Sequence, residues 1–362
     1  MIAGPVLIVG TGLLGASLGL ALSGLGVECI LRDLSPAAQN LARDLGAGVP
    51  DDGSARPALV IVCTPPDVAA AQVAAELARY PEAVVTDVAS VKGVVERDLR
   101  ALGADLSRYV GSHPMAGRER SGAAAADADL FFGRTWVLCP TSETWPTALD
   151  AVREVALGVG SYPVTMGTAE HDAAVAAISH LPQIMASLTA ARLADADSQA
   201  LGLAGQGLRD VTRIAASDPM MWAPILAVNA SAILPHVHAV GQELNALETA
   251  LAAADGGGVE ADGVMRTLAG VIERGKVGVA RVPGKHGGAP RRYAEVMVLV
   301  PDTPGQLGKL FAVIGDAGIN IEDVRLEHSA GATMGVATLS VTLDHATPLA
   351  RHLDEQGWKV VQ

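Results

Sequence analysis

Residues 5–33 constrain the fold of this chain more than any other stretch. The apolar run Val6 to Val9 enters the turn GTGLLG, in which Gly10, Gly12 and Gly15 have the spacing GxGxxG. An apolar strand that leads through such a turn into a helix is typical of a parallel sheet covered on both faces. The glycines permit a tight turn, close approach of a pyrophosphate and close packing of helix on strand. The stretch therefore predicts a dinucleotide-binding unit.

The residues around Asp33 bear on the choice of cofactor. Asp33 follows the predicted strand Val27 to Leu31, about 20 residues beyond the glycine turn, where an acid can bind the adenosine ribose. Its charge disfavours a 2′-phosphate and so favours NAD, although Arg32 weakens the preference because a guanidinium could pair with that phosphate. The predicted cofactor-binding residues are Gly10, Thr11, Gly12, Leu13, Leu14, Gly15, Asp33 and Thr64.

Length and composition exclude several classes of protein. The chain has 362 residues, half of them apolar, which is enough for two or three domains with a large core. Three widely spaced cysteines give no disulfide or metal-ligand pattern and suit the cytoplasm. A net charge of −13 argues against a nucleic-acid partner. Residues 5–27 carry no charge, but their glycines suit a buried strand, turn and helix better than a signal or membrane segment.

Strands continue to alternate with helices as far as Asp87, which predicts a doubly wound parallel sheet that binds ligands beyond its carboxyl ends. Two polar clusters come next in the chain. In TDVASVKG, residues 86–93, Ser90 is predicted to cap the next helix. In GSHPMAG, residues 111–117, Pro114 holds His113 extended in a glycine-flanked loop. A histidine held in this way is poorly placed for the core and well placed as an acid or base.

These motifs together resemble the prephenate dehydrogenase family, nicotinamide-dependent enzymes of tyrosine biosynthesis that include arogenate dehydrogenases. Three further segments resemble parts of that family: SGAAAADADLFFGRTWVLCP, EHDAAVAAISHLPQ and GLRDVTRIAASDPMMW. The resemblance implies that His113 is the catalytic base and that Ser90 orients the same substrate hydroxyl. It also implies that Arg213 grips a substrate carboxylate while Asp210 orients Arg213. By spacing alone, Asp210 and Arg213 could simply pair on a helix surface.

From Glu170 to about Ala254 the pattern becomes helical. Pro182 must break or kink the first helix, because it supplies no amide to the carbonyl of Ile178. On an ideal helix His171 and His180 lie on opposite faces. We favour His180, beside the kink, as a substrate-positioning residue; the alternative is a histidine hydrogen-bonded inside a helix bundle. Asp218 and Pro219 predict the start of a long helix from Met220 toward Leu251, whose apolar surface predicts a homodimer.

From Ala294 the pattern reads strand, helix, strand, strand, helix, strand, which predicts a ferredoxin-like layer. The segment PDTPGQLGKLFAVIGDAGINI resembles the ACT domain, an amino-acid-sensing module. The resemblance implies an amino-acid effector, expected to be tyrosine; the alternative is a role in dimerisation only. The candidate regulatory residues are Asp302, Thr303, Gly305, Asn320 and Ile321. The basic segment RVPGKHGGAPRR before it is either a tether or a source of positive charge near the substrate, through Arg281, Lys285 or His286.

These observations predict four parts: an NAD-binding Rossmann domain at 1–167, a helical substrate and dimerisation domain at 168–280, a linker at 281–293 and an ACT domain at 294–362. The resemblance implies conversion of prephenate to 4-hydroxyphenylpyruvate. Three alternatives remain. An arogenate dehydrogenase would use the same residues. A dehydrogenase of the 3-hydroxyacid type would give no reason for GSHPMAG or the ACT-like segment. A sensor that binds NAD and an amino acid would perform no chemistry.

Overall fold

The computed structural model describes residues 2, 4–117, 122–257, 263–283, 293–328 and 333–361. The chain forms two compact units. Unit 1 comprises Met1–Ala190 and Arg213–Ala239, and unit 2 comprises Ala191–Thr212 and Val240–Gln362.

Unit 1 is built on an eight-stranded sheet in the order β3-β2-β1-β4-β5-β6-β7-β8. Neighbouring strands are parallel except β6 and β7, so β7 and β8 run opposite to the others. The predicted doubly wound sheet is confirmed, with a reversal that a purely parallel sheet does not have. The strands are β1 (Val6–Val9), β2 (Cys29–Arg32), β3 (Val49–Pro50), β4 (Leu59–Val62), β5 (Val84–Asp87), β6 (Tyr109–Pro114), β7 (Thr135–Pro140) and β8 (Tyr162–Thr165).

Two apolar cores cover the faces of this sheet, and β1 contributes to both. Val6 and Ile8 pack with residues of α1 (Leu13–Gly24) and α5 (Pro146–Gly158), whereas Leu7 and Val9 pack with residues of α3 (Pro66–Arg79) and α4 (Gly93–Ala101). Successive side chains of a strand point to opposite faces, so a strand covered on both sides is apolar throughout. The helices that belong to this sheet are α1 (Leu13–Gly24), α2 (Pro36–Asp44), α3 (Pro66–Arg79), α4 (Gly93–Ala101) and α5 (Pro146–Gly158).

The next helices along the chain are α6 (Thr168–Val175), α7 (Leu181–Ala191), α8 (Ser198–Leu201), α9 (Gln206–Thr212), α10 (Pro219–Val228), α11 (Ala230–Gly257) and α12 (Val264–Val279). Asp218 caps α10 as predicted, since its Oδ1 accepts a hydrogen bond of 2.9 Å from the amide of Met220. The single long helix from Met220 toward Leu251 is wrong. A bend of 95° separates α10 from α11. It occurs at Asn229, whose buried side chain is hydrogen-bonded to other elements of unit 1.

The break predicted near Pro182 takes the form of a π-helical turn, Ala176–His180, between α6 and α7. Pro182 supplies no amide for an α-helical bond, and a π turn takes up one extra residue. Thr168–Ala191 as a whole is long and apolar enough to cross a membrane by length and composition alone. The same run contains two buried histidines, His171 and His180.

Unit 2 contains a four-stranded antiparallel sheet in the order β10-β11-β9-β12. The strands are β9 (Tyr293–Pro301), β10 (Asp323–His328), β11 (Met334–Thr342) and β12 (Lys359–Val361), and the helices are α13 (Gln306–Asp316) and α14 (Ala346–Glu355). One apolar core joins the sheet to both helices, with Val298, Leu310 and Leu349 fully buried. The predicted ferredoxin-like order is confirmed.

Candidate active site

The glycine turn lies at the carboxyl end of β1, as the spacing predicts. Gly10 has a φ of 96°, and a Cβ atom there would lie 2.6 Å from the carbonyl oxygen of Cys63. A Cβ on Gly15 would lie 1.9 Å from the oxygen of Gly10, whereas the space beside Gly12 is open. The N-terminus of α1 receives no side-chain cap. The turn therefore has room for a pyrophosphate at Gly12, against uncapped helix amides.

Asp33 and Thr11 are joined across the ends of β1 and β2. Asp33 Oδ2 accepts hydrogen bonds from the amide of Thr11, at 2.6 Å, and from its hydroxyl, at 2.9 Å. Arg32 is engaged elsewhere: its guanidinium lies 2.6 Å from Asp51 Oδ2 and 2.8 Å from Glu76 Oε1. Arg32, the cation that the sequence suggested for a 2′-phosphate, is thus already paired with two carboxylates.

Three other predicted cofactor residues lie around the same turn. Leu13 and Leu14 open α1 and are half-buried. Thr64 follows β4, and its buried hydroxyl has no hydrogen-bond partner among the residues that the structure describes. A buried hydroxyl without a partner is costly. Its position at the carboxyl edge of the sheet suits a group that meets a ligand.

His113 lies on β6, paired with Val137 of β7, so the predicted glycine-flanked loop is a strand end. Its Nδ1 is 2.9 Å from Nε2 of His171, and the two rings meet edge to face. Burial lowers the pKa of His113 well below 6.5, and the neighbouring His171, Lys92 and His180 lower it further. The ring is therefore neutral at neutral pH and able to accept a proton.

A buried ionic cluster supports the strand that carries His113. The Lys92 ammonium pairs with Asp87 and donates a hydrogen bond of 2.7 Å to the carbonyl oxygen of Ser112. The Tyr109 hydroxyl donates to the other oxygen of Asp87 at 2.7 Å. Lys92 and Asp87 are completely buried. Because Ser112 directly precedes His113, the cluster fixes the backbone from which the imidazole projects.

The predicted cap at Ser90 is wrong. Helix α4 begins at Gly93, and Lys92 occupies the N-cap position. The cap comes from Asp172 of α6, whose carboxylate accepts from the amide of Lys92 at 2.8 Å and from that of Gly93 at 2.7 Å. Ser90 is half-buried before this helix, and its predicted contact with a substrate hydroxyl stays a prediction.

The π turn brings the two histidines of this region closer than a straight helix would. One extra residue in a turn rotates the next helical segment by about 100° relative to an α-helix. Asn229 Nδ2 lies 3.0 Å from the carbonyl oxygen of Asp172 and 3.1 Å from His180 Nδ1, so one side chain links α6 to the end of the π turn. Burial lowers the pKa of His180. His180 therefore belongs to the same cluster as His171, although only His171 contacts His113 directly.

A cavity of about 320 Å³ opens beside this cluster. Trp222 lines it and also packs edge-on against the ring of His180, with 6.1 Å between ring centroids. The buried Nε1 of Trp222 has no hydrogen-bond partner within the described part of the chain. The remaining lining residues combine apolar and polar side chains: Gln183, Ile184, Ser187, Leu188, Ala215, Ser217, Pro219 and Leu226. The cavity suits an organic molecule that also carries polar groups.

Arg213, predicted to grip a substrate carboxylate, and Asp210, predicted to orient Arg213, fall in different units. Arg213 is exposed in unit 1, at the start of the short turn Arg213–Ala216, from which Ala215 reaches the cavity. Asp210 lies on α9 in unit 2, where its Oδ1 accepts a hydrogen bond of 2.7 Å from Gln206. Their predicted pairing and their role in substrate binding stay predictions.

Unit 2 has a cavity of its own, of about 500 Å³, at the loop between β9 and α13. Asp302, Thr303 and Gly305 line it, together with residues of β9, α13 and β10. Asn320 instead donates a hydrogen bond of 2.9 Å to Glu322, and Ile321 is half-buried next to it. Of the basic residues considered before β9, Arg281 is exposed, whereas Lys285 and His286 lie outside the described residues.

The sequence analysis does not single out three residues that build the site, Asp172, Lys92 and Asn229, and it favours His180 over His171. The adjacent pair His171 and Asp172 offered a signal, because a carboxylate commonly orients a functional imidazole. Lys92 offered only its position after a strand, and Asn229 interrupted an apolar helix pattern. The hydrogen-bonded residues are also far apart in the chain: Lys92 and Asp172 are separated by 80 residues, and Asn229 and Asp172 by 57.

Three family descriptions match the chain in succession. They are "Prephenate dehydrogenase, nucleotide-binding domain" at residues 17–164, "Prephenate dehydrogenase, dimerization domain" at 167–266 and "ACT domain" at 294–354. The probable prephenate dehydrogenase NovF of Streptomyces niveus is 36% identical over 354 residues, which cover 97% of this chain and 98% of that protein.

Two solved structures resemble the chain as well. Prephenate dehydrogenase from A. aeolicus, in complex with hydroxyphenyl propionate and NAD+, is 28% identical with a TM-score of 0.64, and the match covers 76% of this chain and 99% of that one. Arogenate dehydrogenase from Synechocystis is 27% identical with a TM-score of 0.59, covering 75% of this chain and 99% of that one.

Proposed function

Because the chain belongs to the prephenate dehydrogenase family, we propose that it oxidises prephenate to 4-hydroxyphenylpyruvate with loss of carbon dioxide, a step toward tyrosine. The observation that carries this proposal is His113, a neutral imidazole at the carboxyl edge of the sheet that also carries the glycine turn. The reaction requires a proton acceptor and a hydride acceptor at one place, and this edge offers a site for both.

His113 has the central chemical role. Bound NAD supplies the acceptor for the hydride that leaves C4 of the substrate. His113 accepts the proton of the 4-hydroxyl as that oxygen becomes a carbonyl, and Ser90 orients the same hydroxyl. The ring carboxylate leaves as carbon dioxide, and its bonding electrons make the ring aromatic. The resulting phenolate oxygen takes the proton back from His113, so the net products are 4-hydroxyphenylpyruvate, carbon dioxide and NADH.

The helical residues hold the substrate in this proposal. Arg213 binds a substrate carboxylate, because a guanidinium can bind two carboxylate oxygens at once, and Asp210 orients it. His180, whose ring packs edge-on against that of Trp222, helps to position the substrate. Holding the carboxylate in line is worth several kcal/mol in such reactions, because it removes motions that the reactants would otherwise have to lose.

NAD rather than NADP is the proposed cofactor. The carboxylate of Asp33 stands at the end of β2, where a 2′-phosphate would meet like charge, and Arg32 is held by Asp51 and Glu76. The A. aeolicus enzyme was solved with NAD+, which agrees with this choice.

One assay tests the reaction, the substrate and the cofactor together. The initial rate of NADH or NADPH formation is measured with prephenate and with arogenate, each in the presence of NAD and of NADP. We expect the largest kcat/KM for prephenate with NAD. No reduced cofactor with either substrate would refute the dehydrogenase proposal and leave the sensor alternative.

Arogenate dehydrogenase is the second candidate, favoured by the similarity to the Synechocystis structure. Arogenate carries an amino group where prephenate has a keto group, and the same residues can act on both. A larger kcat/KM for arogenate in this assay would establish this alternative.

We further propose a cytoplasmic homodimer that is inhibited by tyrosine bound at the ACT loop. The match to a dimerisation domain and the cavity at Asp302 to Gly305 support this arrangement. Deleting residues 294–362 should abolish inhibition by tyrosine and leave activity. Inhibition that survives the deletion would place tyrosine at the active site, and light scattering that shows only monomer at micromolar concentration would contradict the dimer.

A further inference from the structure

Three side chains form a continuous hydrogen-bonded chain that ends at the proposed base. Asp172 Oδ1 lies 2.8 Å from Nδ1 of His171, and Nε2 of His171 lies 2.9 Å from Nδ1 of His113. His171 is almost completely buried between them. His171 therefore faces Asp172 with Nδ1 and His113 with Nε2, and His113 faces His171 with Nδ1.

The direction of the hydrogen bonds is set at the carboxylate. Both oxygens of Asp172 accept backbone amides at the start of α4, and Oδ1 also faces the ring of His171. Although burial raises the pKa of Asp172, hydrogen bonds from His171 and from the two amides lower it on balance. An ionised carboxylate can only accept, so His171 donates from Nδ1.

The proton on Nδ1 of His171 determines which nitrogen of His113 is protonated. A neutral imidazole carries one proton, so with Nδ1 of His171 protonated its Nε2 presents a lone pair. The contact of 2.9 Å then requires that Nδ1 of His113 carries a proton and donates it. His113 is left with a lone pair on Nε2, and this nitrogen has no hydrogen-bond partner in the part of the chain that the structure describes.

We propose that His171, backed by Asp172, is a positioning residue that holds His113 in the tautomer protonated at Nδ1, so that Nε2 is the atom that accepts the substrate proton. This inference rests on the proposed function for its catalytic consequence. The tautomer itself is a property of the free protein. Asp172 then has two roles, because its carboxylate both orients His171 and caps α4.

The proposed hydrogen-bond direction requires a neutral His171. The charged or titratable groups that face His113 are His171 from α6, Lys92 at the start of α4 and His180 from the π turn. A proton on both nitrogens of His171 would force it to donate toward His113 and would add a second positive charge next to Lys92. In the proposed state, His171 accepts from His113 before and after proton transfer, and Asp172 balances the charge that develops on His113.

Nitrogen NMR of the cofactor-free protein, labelled with ¹⁵N in histidine, tests the tautomer directly. We expect His113 to show a protonated Nδ1 and an unprotonated Nε2 at neutral pH, identified by the signals lost in His113→Asn. A proton on Nε2 of His113 in the wild-type protein would overturn the inference. This measurement needs no substrate, so its result stands even if no dehydrogenase activity is found.

Two variants of His171 test the consequence for catalysis. In His171→Gln the amide oxygen can still accept from Nδ1 of His113, whereas in His171→Leu nothing can. We expect kcat to fall about 10²-fold in the leucine variant and less than about 10-fold in the glutamine variant, with KM for prephenate nearly unchanged. In the leucine variant the proton of His113 should also move to Nε2. Equal losses in both variants with an unchanged tautomer would contradict the positioning role, and NAD affinity measured for each variant checks that the fold is intact.

Discussion

The cluster around His113 in unit 1 and the loop from Asp302 to Gly305 in unit 2 are built in opposite ways. In unit 1, the groups around His113 come from β5, β6, α4 and α6 and bind one another through buried side chains. In unit 2, Asp302 to Gly305 form an exposed loop held by backbone bonds, among them the amide of Asp302 to the carbonyl oxygen of Thr333 at 3.0 Å. Proton transfer requires atoms held within a few tenths of an ångström, whereas an effector loop can be ordered by its ligand.

The largest expected effect is on the buried pair in unit 1. Lys92→Met removes the partner of Asp87 and leaves a fully buried carboxylate, so the free energy of unfolding of unit 1 should fall by about 3–5 kcal/mol in urea titrations. Arg100→Met in α4, the helix that begins directly after Lys92, is the matched control: it removes exposed ion pairs and should leave the free energy of unfolding nearly unchanged. Equal losses would show that burial does not distinguish these charges.

The next largest effect is on kcat, and it tests the chemical role of His113 separately from the stability of the cluster. His113→Asn should lower kcat by about 10²-fold or more with little change in KM, because the amide cannot take the substrate proton. Steady-state kinetics with prephenate and NAD measure it. A variant that turns over at the wild-type rate would remove His113 as the base and would reduce the cluster to a structural role.

The glycine turn offers a smaller and sharper contrast. Gly12→Ala places a methyl group in open space, so the free protein should keep its stability while NAD affinity, measured by calorimetry, drops about 10-fold or about 1.4 kcal/mol. Gly15→Ala places the same methyl group 1.9 Å from the carbonyl oxygen of Gly10, so it should destabilise the fold itself. Similar urea midpoints for the two variants would contradict this distinction.

The free energy of unfolding is expected to depend on pH with a slope of at most about 1.4 kcal/mol per pH unit for His113. The folded pKa of His113 lies well below 6.5, whereas the unfolded chain has the ordinary value, so below pH 6.5 the unfolded state binds more protons. The free energy of unfolding of unit 1 should therefore be constant from pH 8 to 7 and fall between pH 6.5 and 5. His113→Asn should remove part of this slope, and an identical slope in the variant would show that His113 does not carry it.

The smallest effect on stability belongs to the exposed loop. Asp302→Ala should change the free energy of unfolding by less than about 0.5 kcal/mol, because the side chain is exposed. In the proposed function it should nevertheless weaken inhibition by tyrosine, measured as the concentration for half inhibition. Unaltered inhibition would move the effector site away from this residue.

Local patterns were sufficient for most of the fold. The apolar strands, the glycine turn and the order of elements after Tyr293 follow from periodicity and turn residues, which act over a few positions. The reversal of β7, the bend at Asn229 and the exact form of the break near Pro182 do not. Each depends on contacts between elements far apart in the chain, which periodicity does not record.

The candidate site divides in the same way. Gly10, Asp33 and His113 could be singled out because each sits in a local context that favours its role. The capping of α4 at Lys92 by Asp172 could not be predicted, because a helix is normally capped by its own sequence and here the cap comes from 80 residues away. The π turn could not be predicted either, because the relative positions of His171 and His180 were derived from ideal α-helical geometry.

The π turn at Ala176–His180 has a consequence for how this protein tolerates changes in length. Removing any one residue between Val175 and His180 would allow a regular helix with better backbone bonds, but it would swing the segment after it by about 100°. His180 would then move away from Asn229 and Trp222, which it contacts here. A deletion that makes the isolated helix more regular would therefore disrupt the packing of side chains beside the cavity. The one extra residue of the π turn sets the spacing of these side chains, so an insertion or deletion in this turn should impair the site.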